Sequence, residues 1–126
     1  MTKPRDIRQT VRLPASPDKL FESYLDPARH AAISGQPVHI APEPGGEFRA
    51  FDGVISGRIV ALVPKRLIVQ TWRASHWKKD DIDSVLVLAF SGDRAYGQID
   101  LVHVKDVSEG WDKYYWTPWR KYLGQR

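Results

Sequence analysis

Apolar and polar residues alternate in the first segment of the chain, residues 7–13. Ile7, Val11 and Leu13 share one parity, while Arg8 and Arg12 share the other. Because successive side chains of a strand point to opposite faces, this period of two predicts a strand with one buried face.

Two short helices are predicted to follow this strand. The pairs Ser16–Pro17 and Asp26–Pro27 each place a preferred N-cap residue before a proline at the first helical position. Apolar residues at helical spacing follow the first pair as far as Leu25, and the second helix is expected to end near Ile33. Gly35 then supplies a C-terminal stop.

Short apolar runs separated by turn residues occupy the middle of the chain. The turn pairs are Gly45–Gly46, Asp52–Gly53, Pro64–Lys65 and Gly92–Asp93. The runs between them predict about six further strands, at 38–40, 47–51, 54–63, 67–73, 84–90 and 96–104.

The segment 110–123 contains six of the fourteen aromatic residues of the chain. At about 100° per residue, an arc of roughly 140° contains, in order, Trp111, Tyr122, Tyr115, Trp119, Leu123 and Trp116. This pattern predicts one amphipathic helix with an aromatic face, which suits either a core helix or the lid of a pocket. Pro118 removes a backbone hydrogen bond and crowds the carbonyl of Tyr114, so we expect a kink or a new start near Thr117.

The order of these elements predicts an α+β fold in a single domain of residues 1–126. An antiparallel sheet with one solvated face must bury its other face, and we expect only the terminal helix to be large enough to cover it. The predicted architecture is therefore a curved antiparallel sheet of about six to seven strands wrapped around a C-terminal helix, with two short helices after strand 1.

Composition and charge limit the classes of partner. The net charge is +4, yet no run of lysine and arginine exceeds two residues, so we expect no nucleic-acid partner. The chain has no cysteine, which excludes disulfides and thiolate metal sites. The chain shows neither an apolar signal segment nor a run near the roughly 18 apolar residues of a membrane span, so we expect a cytoplasmic protein without membrane association.

Short motifs rich in proline, glycine and aromatic residues follow one another along nearly the whole chain. They are Leu13-Pro14-Ala15-Ser16-Pro17, Asp26-Pro27, Gly45-Gly46-Glu47-Phe48, Ser56-Gly57, Val63-Pro64, Ile68-Val69-Gln70-Thr71-Trp72, Leu101-Val102-His103, Gly110-Trp111, Tyr115-Trp116 and Tyr122-Leu123. In this order they resemble the START-like (SRPBCC, helix-grip) superfamily, and within it the bacterial branch similar to the C-terminal domain of the activator of the heat-shock protein ATPase. The resemblance implies a curved antiparallel sheet that grips a C-terminal helix, with a cavity between them.

Two segments depart from the pattern of that branch. The segment between His103 and Gly110 is shorter than is common there, and Tyr96–Gly97 stands where the family usually has Gly-Thr. Both departures lie near the expected cavity, so the resemblance implies the fold more directly than it implies a closed pocket.

Recognisable motifs of nucleotide and metal chemistry are absent from the sequence. It has no nucleophile elbow, P-loop or dinucleotide fingerprint. The four histidines are dispersed, and Asp80, Asp81 and Asp83 lack the spacing of a calcium loop. We therefore predict no metal site and no cofactor.

Strand parity selects candidate ligand-binding residues on the covered face. Gln70 and Trp72 are expected to point inward because the charged Arg73 has the opposite parity. His103 shares its parity with apolar residues of its own strand. The candidate ligand-binding residues are Phe21, Phe48, Gln70, Trp72, Leu86, Ile99, Leu101, His103, Trp111, Tyr115 and Trp119.

Each candidate also has a purely structural interpretation. Phe21, Phe48 and Trp72 fit ordinary core packing, and Gln70 is either satisfied by its neighbours or part of a polar spot in the cavity. His103 is the one candidate for a catalytic residue, as a base with a pKa near neutrality. Its structural alternative is a histidine hydrogen-bonded to backbone at the end of the sheet.

Three functions remain open on this evidence. The first is noncovalent binding of a small apolar or aromatic molecule between the sheet and the terminal helix. The second is an enzyme that uses the same cavity, because the wider superfamily includes cyclases and aromatases. The third is a protein-interaction role like that of the heat-shock co-chaperone, which we rank last because only the C-terminal domain of that protein is matched. A monomer or a homodimer is expected.

Overall fold

The computed structural model of the protein describes residues 6–77, 83–104 and 115–124. These residues form seven strands: β1 (Asp6–Leu13), β2 (His39–Ile40), β3 (Glu47–Ala50), β4 (Ile55–Val63), β5 (Leu67–Ala74), β6 (Ser84–Gly92) and β7 (Gly97–Val104). The helices are α1 (Pro17–Leu25), α2 (Pro27–Ser34) and α3 (Thr117–Tyr122). This order confirms the predicted α+β succession of one strand, two short helices, six strands and a terminal helix.

The seven strands form one antiparallel sheet in the order β1-β7-β6-β5-β4-β3-β2. Strands β2 to β7 follow each other as neighbours, and β1 pairs with β7 in a register that places Ile7 opposite His103 and Leu13 opposite Gly97. Strands β1 and β2 therefore lie at opposite edges of the sheet. The chain between them must cross one face of the sheet, and α1 and α2 make that crossing.

A single residue, Asp26, ends α1 and begins α2. Its backbone N–H donates to the carbonyl oxygen of Glu22, and its side-chain Oδ1 accepts from the backbone N–H groups of Ala28 at 2.9 Å and Arg29 at 3.2 Å. Two free N–H groups of α2 are thereby satisfied at its first turn. Gly35, with φ of 75°, closes α2 in the left-handed conformation that glycine adopts without strain.

Side-chain parity divides the sheet into a buried and an outer face. In β5 the buried positions are Ile68, Gln70, Trp72 and Ala74, and in β7 they are Gly97, Ile99, Leu101 and His103. The predicted inward directions of Gln70, Trp72 and His103 are therefore confirmed.

The helix α1 shares the buried face of the sheet with α3. The side chain of Leu20 is buried against β7, where a Cβ atom added at Gly97 would collide with it. Phe21 packs edge-on against Phe90 of β6, with ring centroids 5.5 Å apart. The expectation that the terminal helix alone covers the sheet is wrong, because the crossing from β1 to β2 places α1 on the same face.

The described α3 begins at Thr117, next to Pro118, where a kink or a new start was expected. Tyr115 and Trp116 are π-helical and lie directly before α3, and Trp111 with the rest of 105–114 lies outside the described residues. Tyr115, Trp116 and Trp119 are buried, whereas Tyr122 is 40% exposed. The buried aromatic stripe thus ends at Trp119, because α3 has fewer than two turns and its last residue, Tyr122, is exposed to solvent.

Candidate functional site

Five rings from five different elements meet between the sheet and the residues that lead into α3. We call Tyr24, His30, Phe48, Trp72 and Tyr115 the interior ring cluster. Tyr24 stacks on Phe48 with centroids 6.1 Å apart and an interplanar angle of 9°. His30 lies 4.7 Å from Tyr24 and meets Tyr115 edge-on at 5.4 Å, and Trp72 lies 5.8 Å from Phe48. The cluster joins α1, α2, β3 and β5 to the terminal segment.

His30 connects α2 to α1 through one ring nitrogen and to the terminal segment through the other. Nδ1 lies 2.7 Å from the backbone oxygen of Tyr24, and Nε2 lies 2.9 Å from the phenol oxygen of Tyr115. A carbonyl oxygen can only accept, so Nδ1 carries the proton of the neutral ring, and Nε2 accepts from the Tyr115 hydroxyl. His30 thus has partners at both nitrogens while neutral.

The amide of Gln70 has partners within the interior. The Tyr24 hydroxyl donates to its Oε1 at 2.6 Å, and its Nε2 donates to the backbone oxygen of Thr71 at 3.3 Å. Of the two alternatives for this residue, satisfaction by its neighbours is the one observed. A buried amide fixed in this way orients the Tyr24 ring above Phe48.

Replacing Tyr24 with phenylalanine is expected to lower the free energy of unfolding by about 1–3 kcal/mol, because Oε1 of Gln70 would lose its buried donor. Urea denaturation monitored by circular dichroism measures the change. Tyr96→Phe is the matched control, since Tyr96 is 43% exposed and should shift the free energy by less than about 0.5 kcal/mol. Equal effects of the two substitutions would contradict the assigned hydrogen bond.

His103 is held by a side chain of the neighbouring strand. Its Nε2 lies 2.7 Å from Oγ of Ser84, and that hydroxyl donates to the backbone oxygen of Trp72 at 2.8 Å. Because serine has one hydroxyl proton, Oγ accepts from Nε2–H of His103. A nucleophile and base require the opposite proton direction, so this buried pair does not favour the enzymatic alternative. One partner of His103 is thus the side chain of Ser84.

Burial keeps the titratable groups of the interior neutral at pH 7. It lowers the pKa of His30 to about 4, partly opposed by the hydrogen bond with the backbone of Tyr24. Burial also lowers the pKa of His103 to about 4. Burial raises the pKa of Tyr115. It also raises the pKa of Tyr24, with a smaller contribution from the neighbouring Tyr115. Such a site suits an uncharged ligand better than an ionic one.

Ten of the eleven predicted ligand-binding residues lie in the described part of the chain, and all ten are buried. Phe48, Trp72 and Tyr115 meet in the ring cluster, and His103 contacts Trp72 edge-on at 5.5 Å. Phe21 instead packs on Phe90. Seven of the ten expose at most 1% of their surface, namely Phe48, Gln70, Leu86, Ile99, Leu101, His103 and Trp119. Side chains therefore fill the space around them. Trp111 lies outside the described residues.

Two members of the ring cluster, Tyr24 and His30, were missing from the predicted site. Helical spacing places Tyr24 on the apolar side of the first helix, and the dispersal of the histidines, His30 among them, predicts no metal site. The available signal was helical spacing: His30 lies three residues before Ile33, and both are buried in α2. What joins His30 to Tyr115, far along the chain, is tertiary packing.

The described residues offer two buried polar side-chain atoms without a hydrogen-bond partner, Ser23 Oγ and Trp119 Nε1. Within the same residues, no three histidine or carboxylate side chains lie together so as to hold a metal ion. None of the described helices has the length and apolar content needed to cross a membrane.

The family model described as "Activator of Hsp90 ATPase homolog 1-like protein" matches residues 14–124. The chain belongs to this family. Human activator of 90 kDa heat shock protein ATPase homolog 1 is 24% identical over 116 residues, which cover 86% of this chain and 34% of that protein. An uncharacterized Schizosaccharomyces pombe protein is 39% identical over 72 residues, covering 57% of this chain and 21% of that protein.

A solved HSP90 activator from Plasmodium falciparum shares the fold of this family member. Its TM-score is 0.85 at 22% identity, with 96% of this chain and 97% of that chain covered. By contrast, the matched segments span about a fifth to a third of the two relatives compared by sequence. The predicted family and helix-grip fold are therefore confirmed.

Proposed function

We propose that this domain binds one small apolar or aromatic molecule, without covalent chemistry, between the sheet and α3. The observation that carries the proposal is the indole N–H of Trp119, a buried donor that meets no acceptor within the described residues. A buried unpaired donor costs about 1–3 kcal/mol. A ligand with an oxygen or nitrogen acceptor beside this indole would recover that free energy while its apolar part contacts aromatic side chains.

Entry of a ligand requires α3 to shift, because side chains fill the space around the candidate residues. Between described residues, two side-chain hydrogen bonds attach the start of the terminal helix to the rest of the domain. Tyr115 donates to His30 at 2.9 Å, and Nε1 of Trp116 donates to Oε1 of Gln9 on β1 at 2.8 Å. Water or a ligand can replace such bonds at small net cost, so the terminal helix is the movable wall in this proposal.

Indole N–H resonances in two-dimensional NMR test the proposal directly. Aromatic and aliphatic carbonyl compounds, with their hydrocarbon counterparts, are titrated into the protein, and Trp119→Phe assigns the Trp119 signal. A bound compound with an acceptor is expected to move that signal downfield and to raise Tm. Compounds that bind without moving the Trp119 signal, or a complete panel without any change in Tm, would overturn the proposed site.

The Trp119→Phe variant also separates the hydrogen bond from ring packing. It should weaken binding of an acceptor-bearing ligand about fivefold, corresponding to a net hydrogen bond of about 1 kcal/mol. Binding of the hydrocarbon counterpart should change less. Trp77→Phe serves as the matched control because Trp77 is only partly buried at the edge of the core. An equal loss for both ligands would assign Trp119 to packing alone.

Family membership favours a second candidate function, activation of a heat-shock ATPase through protein contact. The family match covers residues 14–124, and the human relative is named as an activator of the 90 kDa heat shock protein ATPase. Adding the full chain to such a chaperone should raise its ATP turnover, with an equal concentration of serum albumin as control. An unchanged rate over a tenfold excess of the chain would dispose of this function.

The cytoplasm is the compartment that we propose for either function. A chain without cysteine needs no oxidising environment to fold, which suits a reducing compartment.

A further inference from the structure

An apolar band crosses the outer face of the sheet, opposite the interior. We call it the valine band: Val60, Val63, Val69, Val85, Val87, Val102 and Val104. Of its members, Val60 is 53% exposed, Val63 47%, Val104 45% and Val85 39%. Single exposed apolar residues are ordinary on protein surfaces, but a contiguous group marks an interaction surface.

Strand register makes this band continuous. Val102 of β7 pairs with Val87 of β6, which pairs with Val69 of β5, which pairs with Ala61 of β4. At the β1 end of the same row, Val102 pairs with Arg8. Neighbouring strands lie about 4.8 Å apart, so the row spans about 19 Å from β1 to β4.

Arginine residues flank the band on both sides. Arg8 and Arg12 project outward from β1, because the alternate residues of that strand are buried. On β4, Arg58 donates to the backbone oxygen of Gly45 at 3.2 Å and borders an open groove of about 570 Å³ that reaches Val60. In the described part of the chain, none of these three arginines has a carboxylate within ion-pair distance.

Three carboxylates among the described side chains of this face already have partners. Glu47 pairs with Arg49 at 3.2 Å and lies 3.8 Å from His39. Asp83 pairs with Arg73 at 3.0 Å. The third, Asp100, accepts hydrogen bonds from Thr10 and Gln98. Among the described residues, Arg8 and Arg58 therefore present positive charge beside the valine band without an ion-pair partner, while Arg12 lies over the ring of Tyr96 and near the carboxylate of Asp93.

We propose that the outer face docks an acidic amphipathic helix of a partner protein, with its apolar stripe on the valine band and carboxylates at both ends beside Arg8, Arg12 and Arg58. A helix rises about 1.5 Å per residue, so about 13 residues span the 19 Å row. Apolar contact supplies most of the affinity, and the flanking charges supply orientation and association rate. This inference is independent of ligand binding in the interior.

Charge disfavours a second copy of the chain as the occupant. In a face-to-face dimer, a two-fold axis across the strands places β1 opposite β1 of the second copy. An axis along the strands places β1 opposite β4. In both arrangements arginines face arginines, because both flanks of the band are basic. Like charges at an interface suppress association. Nucleic acid supplies phosphates but no apolar stripe for the band.

Synthetic peptides test the chemistry of this surface. The probe is a 16-residue helical peptide with a leucine stripe and glutamate residues at both ends, and its companion carries lysine in place of every glutamate. Fluorescence anisotropy at low salt should show at least tenfold tighter binding of the acidic peptide. The difference should shrink as salt shortens the range of the charges. Equal binding of both peptides, or no binding of either, would overturn the proposal.

A matched pair of triple variants locates the site. Arg8→Gln, Arg12→Gln and Arg58→Gln together should weaken acidic-peptide binding about tenfold or more. Arg29→Gln, Arg120→Gln and Lys121→Gln remove the same charge from the helices, and they should leave binding within twofold. Similar losses for both variants would indicate a net-charge effect and refute a defined docking face.

Other occupants give distinct results. If phosphatidylserine vesicles bind to the protein and the acidic peptide does not, the outer face is a membrane-binding surface. Sedimentation that shows a dimer lost on Val85→Asp, without peptide binding, would assign it to a second copy. Either result overturns the proposed helix. The interior variant Trp119→Phe should leave peptide binding unchanged, which keeps this test separate from that of the proposed ligand.

Discussion

Lowering the pH from 7 to 4 is expected to unfold this domain, because two buried histidines must accept protons. His30 and His103 both have a pKa of about 4 in the folded state, whereas an unperturbed histidine has a pKa of about 6.5. Between these values the unfolded chain binds more protons, so stability falls as the pH falls. The stabilisation that the two neutral histidines contribute is fully present above about pH 6.5 and is lost progressively toward pH 4.

The size of this effect is comparable to the stability of a whole domain. Each histidine contributes about 3 kcal/mol, since one pKa unit corresponds to about 1.4 kcal/mol. Two such groups account for about 6–7 kcal/mol, against a typical domain stability of about 5–15 kcal/mol. The free energy of unfolding, measured by urea denaturation from pH 7.5 to 4, should therefore fall steeply, with a slope approaching 2.7 kcal/mol per pH unit near pH 5.

Single replacements distinguish the two histidines. His30→Gln and His103→Gln should each remove about half of the pH dependence between pH 6.5 and 4, while also lowering stability at pH 7. His39→Gln is the control, because the side chain of His39 is 66% exposed, and it should retain the full acid-induced loss. A stability that stays constant from pH 7 to 4.5 would show that neither imidazole is buried as described.

Replacing Trp119 with alanine is expected to lower the free energy of unfolding by about 3–5 kcal/mol. Trp119 is 1% exposed and stacks on Trp116 with centroids 6.2 Å apart. Its removal leaves a large cavity and deprives α3 of its one fully buried anchor among the described residues of that helix. Urea denaturation by far-ultraviolet circular dichroism gives the change in free energy.

Two companion substitutions define what Trp119 contributes. Tyr122→Ala changes the same helix at a residue that is 40% exposed, and it should cost less than about 1 kcal/mol. Trp119→Phe should cost less than Trp119→Ala, because it keeps a ring and also removes a buried donor without a partner. If Trp119→Ala and Tyr122→Ala were equally mild, α3 would not be packed against the sheet as described.

Most of the fold prediction rests on the periodicity of apolar residues along the chain, because each strand has one buried face. Parity alone pointed Gln70, Trp72 and His103 inward, and Ser16 and Asp26 marked both helix starts. The covering of the sheet by α1 was missed, although it follows from strand order: β1 and β2 lie at opposite edges. Strand order depends on pairing between distant segments, which local pattern does not encode.

The candidate site shows the same division. Phe48, Trp72 and Tyr115 were selected correctly as inward rings, and the structure brings them together. Tyr24 and His30 join them only through contacts across long stretches of chain, and proton direction at His103 depends on Ser84 of another strand. The ligand role of these residues stays a prediction, to be decided by the Trp119 experiments.

By itself, the sequence determined which residues are helical or extended, which side of each strand is buried, and where Pro118 interrupts the terminal segment. These properties depend on local sterics and on a period of 2 or 3.6 residues. Tertiary structure alone decided that α1 shares the sheet with α3, that His30 meets Tyr115, and that the valines of separate strands align into one band between arginines. Those features arise from the register between strands and from packing across the sheet, where residues far apart along the chain become neighbours.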